Sequence, residues 1–115
     1  MINAPTWVDR SEYPFASHTY QHSDGRIHYV DEGQGPIILF VHGTPEWSFG
    51  FRHLIKDLRS SCRCIAIDHL GFGLSDKPSN ADFTVAAQSR RLKDFIDHLQ
   101  LKALLLVVTK FGGDI

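Results

Sequence analysis

The sequence predicts a doubly wound α/β sheet, in which an N-terminal β-hairpin is followed by three mostly parallel strands joined by crossover helices. Three observations lead there. An Asp24-Gly25 turn separates two runs rich in β-branched and aromatic residues. Short, almost wholly apolar runs recur at residues 37–41 and 104–108, as expected of strands covered on both faces. Between them, apolar residues fall twice at helical spacing, and strands alternating with helices form right-handed crossovers.

Residues 1–16 carry Pro5, Pro14 and mixed polarity, and are expected to lie as an extended arm over the surface. A core domain is expected over residues 17–115. Its first two strands are residues 18–22 and 26–32, about the turn Ser23-Asp24-Gly25. The segment Gly33-Gln34-Gly35-Pro36 breaks the pattern before the third strand, 37–41. A helix is expected over 47–58, with Phe51, Leu54, Ile55 and Leu58 on one face. Residues 63–68 form the next strand, Ile65 and Ile67 facing one way and Cys64 and Ala66 the other. After a glycine-punctuated loop over 70–78, a second helix spans 84–99, with Val85, Leu92, Phe95, Ile96 and Leu99 as its apolar stripe and Asp82 or Thr84 as its cap. The last strand, 104–109, runs into a sharp turn.

Composition narrows the function. The 115 residues are 43% hydrophobic and 22% charged with a net charge of −1, which suits one globular domain and offers no basic surface for nucleic acid or an anionic membrane. The apolar runs fall far short of the roughly 20 residues a membrane span needs, and the start lacks the charged and apolar regions of a signal peptide. A cytoplasmic location is the expectation. Cys62 and Cys64 read as ordinary thiols, and His18, His22 and His28 as surface histidines, so no metal and no cofactor are expected. Gly71 and Gly73 form a lone Gly-x-Gly without the third glycine and opening helix of a dinucleotide site.

In an open parallel sheet, ligands bind outside the carboxyl ends of the strands. Three segments fall there. The first is His42-Gly43-Thr44-Pro45, where the Thr44 N–H is free to stabilise a developing oxyanion. His42 is expected to brace this loop, and Gly43 and Pro45 to shape it. Trp47 has two open readings, lining a cavity or pinning the helix start. The second segment begins at Asp68-His69. Neighbours on an extended chain point oppositely, so Asp68 is expected to hydrogen-bond the glycine loop rather than pair with His69. The third is Val108-Thr109-Lys110-Phe111-Gly112, the small-x-nucleophile-x-small turn that lifts one side chain above a sheet edge. Phe111 N–H would be the second oxyanion donor, and Asp114 is placed to pair with Lys110 one turn down the following helix.

The residues 42–52, His-Gly-Thr-Pro-Glu-Trp-Ser-Phe-Gly-Phe-Arg, and 68–78, Asp-His-Leu-Gly-Phe-Gly-Leu-Ser-Asp-Lys-Pro, together with Phe111-Gly112-Gly113, resemble the α/β-hydrolase superfamily, in its haloalkane dehalogenase-like branch. The resemblance runs from about Tyr20 to Gly113. It implies hydrolysis of a small organic substrate through a covalent ester: an elbow Asp attacks carbon, and a His-activated water cleaves the ester. Two departures stand out. Lys110 occupies the nucleophile position, and with a reference pKa of about 10.4 it is protonated near neutrality unless burial shifts it. Phe111 and Thr44 stand where dehalogenases commonly carry Trp and Asn, a pattern that equally suits an epoxide hydrolase or esterase relative.

The acid, the base His and the cap that the resemblance implies would lie downstream of residue 115. The expectation is therefore a truncated N-terminal part of such a hydrolase, inactive as this chain, with self-association through an uncovered last strand. Each apolar side chain left in water there forgoes roughly 1.5–3 kcal/mol relative to full burial. Two rival readings are a non-catalytic protein that holds an anion at Lys110, and a gene fragment without a selected role.

Overall fold

A computed structural model describes residues 11–43 and 46–109. Its elements are β1 (His18–His22), β2 (Gly25–Glu32), β3 (Ile37–Val41), a 3-10 turn (Ser48–Phe51), α1 (Arg52–Leu58), β4 (Arg63–Ile67), α2 (Val85–His98) and β5 (Leu105–Val108). The five strands make one sheet in the order β1-β2-β4-β3-β5. The hairpin joins β4 antiparallel, with Tyr29 opposite Ile67, while β4, β3 and β5 run parallel. This is the predicted α/β layout, an incomplete doubly wound sheet with a helix on each face.

The strand alternation sorts the core into two layers. Ile38, Phe40, Cys64 and Ala66 pack with Phe51 and Ile55 on one face; Leu39, Val41, Ile65 and Ile67 pack with Leu92 and Phe95 on the other. Both layers therefore rest on β3 and β4, whose exposed fraction is at most 9% at every residue from Ile38 to Val41. β5 pairs with β3 alone and is an edge strand among the described residues.

Two helices differ from expectation in instructive ways. The segment after Trp47 opens as a 3-10 turn and becomes α-helical only at Arg52; its Gly50 disfavours the α-helix, and Leu54 stays nearly half exposed. In α2 the Thr84 hydroxyl, one of the two expected caps, accepts from Ala87 N–H at 3.2 Å, while Asp82 accepts from Thr84 N–H at 2.9 Å. Its buried stripe, however, includes Gln88 and Arg91. Gln88 donates to the Leu70 carbonyl at 2.8 Å, and Arg91 Nε donates to Asp24 at 2.9 Å, so polar side chains dock this helix on the glycine loop and the hairpin turn.

The arm is also more than a surface strap where it is described. Tyr13 and Phe15 are fully buried, edge to face at 5.1 Å, and complete the α1-side layer.

Candidate active site

The parallel strands end together at the carboxyl edge of the sheet, at Val41, Ile67 and Val108, and the described segments after Val41 and Ile67 meet there. Asp68 is the hub. It is fully buried, and its carboxylate accepts from Ser48 N–H at 2.6 Å, Leu74 N–H at 3.1 Å and His28 Nδ1–H at 2.9 Å. Burial pushes its pKa up, but the His28 hydrogen bond and charge and the two amides outweigh that and hold it below the ordinary carboxylate value. A buried carboxylate is tolerated when its lone pairs are filled by donors in this way.

The hub ties the loop after β3 to the glycine loop after β4. Gly73 adopts φ +54°, and a Cβ there would stand 2.6 Å from an Asp68 oxygen and 2.7 Å from Trp47 Cβ. Only glycine lets the two loops close on each other. Trp47 tilts against Tyr13 at 5.2 Å and stacks on Phe49 at 5.4 Å, so its ring joins the aromatic layer that the arm completes. Gly71, at φ +92°, lies directly beneath the Phe83 ring.

His42 forms a second clamp. Its Nδ1–H donates to the Gly43 carbonyl at 2.9 Å, and its Nε2 accepts the His69 backbone N–H at 2.8 Å. The two contacts fix the tautomer. Its ring packs edge-on to His69 at 4.5 Å and to Phe72 at 5.4 Å. Burial, above all, lowers the pKa of His42. Burial and then the neighbouring His42 bring His69 down to about 3. Both imidazoles are neutral near pH 7.

Of the residues singled out in the sequence, His42, Gly43, Trp47, Asp68, Gly71 and Gly73 thus gather at one edge. Asp68 and His69 do not pair with each other. Thr44, Pro45, Lys110, Phe111, Gly112 and Asp114 lie outside the described residues, and so do the turn and the two backbone donors expected there. The histidine reading needs correcting: His28 is fully buried and His22 is 6% exposed, because each has a carboxylate partner, Asp68 and Asp94 respectively. Neither is a surface histidine.

Sequence reading missed Ser75, Ser48 and Tyr13. Ser75 Oγ donates to the Asp68 carbonyl at 2.6 Å and accepts His28 N–H at 2.8 Å, and the Tyr13 and Ser48 hydroxyls bond at 2.6 Å. The serine inside the glycine loop was the available signal. Among the described residues no group of three or more His, Cys, Asp or Glu could hold a metal ion, and no helix is long and apolar enough to cross a membrane.

A family model described as alpha/beta hydrolase fold matches residues 36–115. Haloalkane dehalogenase 2 of Mycobacterium tuberculosis is 48% identical over 107 residues, covering 93% of this chain. The cis-3-alkyl-4-alkyloxetan-2-one decarboxylase of Shewanella oneidensis is 40% identical over 103 residues, 87% of this chain and 32% of the relative. In three dimensions the haloalkane dehalogenase DatA of Agrobacterium tumefaciens superposes with a TM-score of 0.78 at 32% identity, over 84% of this chain and 33% of that one. The chain spans 37% of the length of the mycobacterial relative.

Proposed function

Because the chain belongs to the α/β-hydrolase fold family and is haloalkane dehalogenase-like within it, we propose that it carries the floor of a hydrolytic site whose nucleophile position is filled by Lys110. In this reading the intact site takes a small organic substrate, and the reaction runs through a covalent alkyl ester. Loss of a triad nucleophile costs on the order of 10⁴ to 10⁶ in turnover, so this chain is catalytically silent.

The observation that carries the reading is the Gly43 carbonyl. It is held by His42 Nδ1–H at 2.9 Å and by Glu46 N–H at 2.8 Å. So held, the Gly43 carbonyl anchors the described end of the loop in which the proposed oxyanion donor, Thr44 N–H, is expected. Phe111 N–H is the proposed second donor. Gly112 is proposed to give the turn its close approach, and Pro45 to shape the loop. A cytoplasmic location and self-association through β5 belong to the same proposal; the exposure of Leu105, Leu106 and Val108 supports the latter.

The test joins this chain to the remaining segment of the mycobacterial dehalogenase and measures halide release from haloalkanes beside epoxide and ester turnover. The Lys110 chimera is expected to be silent and its Lys110→Asp variant to gain turnover. Equal activity of the two chimeras would refute the nucleophile assignment. Binding of a carboxylate that disappears in Lys110→Ala would instead favour an anion-holding role.

A further inference from the structure

The hairpin turn, the loop before α2 and the first half of α2 enclose a polar recess of about 300 Å³, with Ser23, Asp24, Asn80, Asp82, Arg90 and Arg91 in its walls. Arg91 builds it. The residue is 2% exposed, and its Nε donates to Asp24 at 2.9 Å, which holds the helix against the turn. A buried guanidinium needs such a counter-charge.

The acceptors in these walls are taken, whereas the donors are open. Asp24 accepts from Arg91 Nε, with the Arg90 guanidinium 4.0 Å away. Asp82 accepts from Thr84 N–H at 2.9 Å. The Arg91 hydrogen bond holds Asp24 below the ordinary carboxylate value, and the Thr84 backbone and side-chain hydrogen bonds do the same for Asp82. On the donor side, Arg91 Nη1 bonds Gln88 at 3.1 Å, but Nη2 has no hydrogen-bond partner among the described residues. The Arg90 side chain is 60% exposed and, like those of Asn80 and Ser23, makes no hydrogen bond among the described residues. A recess of unpaired donors takes an acceptor.

Charge narrows the choice. Two guanidiniums stand against two carboxylates, so the recess carries no net charge from these groups, and a dianion would face Asp24 and Asp82 without a positive surplus. A single negative charge spread over two oxygens fits better, because guanidinium donors match carboxylate geometry. We propose that this recess binds a small monocarboxylate through Arg91 Nη2 and the Arg90 guanidinium, with the Asn80 amide and the Ser23 hydroxyl as further donors. A ligand seated there would bridge the hairpin turn and α2 beside the Arg91–Asp24 pair.

The test titrates sodium acetate, and separately sodium sulfate, into the nitrogen-15-labelled chain at constant ionic strength. Mildly acidic pH keeps the arginine N–H signals visible and acetate ionised. The Nε–H signals of Arg90 and Arg91 and the Asn80 amide signals should shift saturably with acetate, with a dissociation constant in the millimolar range, and sulfate should bind several-fold more weakly. Arg90→Gln, at an exposed position, should weaken acetate roughly tenfold, the loss expected for one charged donor. Arg90→Lys, which keeps the charge without the fork, should recover only part of that loss. Asn80→Ala, also exposed, should weaken acetate by a smaller factor and keeps the test decisive if the Arg90 variants do not fold. Shifts that rise linearly without saturation, acetate binding unchanged in Arg90→Gln and Asn80→Ala, or sulfate binding as tight as acetate would overturn the proposal.

Discussion

Leu39 and Leu106 are register partners on neighbouring parallel strands, yet Leu39 has no exposed surface while Leu106 is 48% exposed. They are the same residue type, in strands of similar apolar composition, with opposite fates. The difference lies in what covers them. β3 sits between β4 and β5 and receives layers from both helices, whereas among the described residues β5 has one neighbour and little above or below it. At the carboxyl end of β3 and β4 the covering continues as hydrogen bonds around Asp68 and His42. An apolar run therefore identifies a strand but not its burial, which depends on elements elsewhere in the chain.

The sharpest way to break this contrast is to remove its hub. Asp68→Ala strands His28 Nδ1–H and the Ser48 and Leu74 amides in a buried site, and is expected to cost about 3–5 kcal/mol in urea unfolding. A cost below about 1 kcal/mol would mean that the hub does not hold the two loops. Next come the register partners: Leu39→Ala should lose about 2–5 kcal/mol, the range for truncating a buried leucine. Leu106→Ala should lose about 1 kcal/mol or less, since much of its surface is already in water. Equal losses would place a covering layer over β5. Gly73→Ala combines a left-handed backbone penalty with a clash against Asp68 and Trp47, and about 2–4 kcal/mol is expected from the same unfolding curves.

Acid sensitivity gives a smaller and more selective effect. His69 is depressed in the folded chain, so its contribution is complete above the unfolded value of 6.5 and is lost as pH falls toward about 3. Asp68 is depressed too, and its contribution disappears only at lower pH, below its ordinary value of 3.8. Stability of the wild type between pH 6.5 and 4 should therefore fall more steeply than that of His69→Phe, and the deficit of Asp68→Asn relative to wild type should be full above about pH 4 and shrink below it. Parallel curves across the first window would contradict the buried neutral state of His69.

Most of the fold was legible because it rests on local periodicity. The Asp24-Gly25 turn, the wholly apolar 37–41 run and the Thr84 cap are each decided within a few residues, and each appears where expected. The site was legible in position, since strand ends locate it, but not in wiring. His28 meets Asp68 across 40 residues, Tyr13 meets Ser48 across 35, and Arg91 meets Asp24 across 67. Those partners share no local pattern, which is why His28 looked like a surface residue and why the apolar stripe of the second helix did not include Arg91. The Ser48 N–H has a distant partner of the same kind, the Asp68 carboxylate at another strand end.

Native-state amide hydrogen exchange, resolved by residue, tests the contrast most directly. The N–H groups of Ser48, Leu74 and His69 all donate to buried acceptors in the clamps, and they should be protected nearly as well as those of Leu39 and Ile65, while the β5 amides that face away from β3 exchange orders of magnitude faster. Clamp amides that exchange as fast as the open edge of β5 would show that the carboxyl edge is not a preformed floor, and the account would fail there.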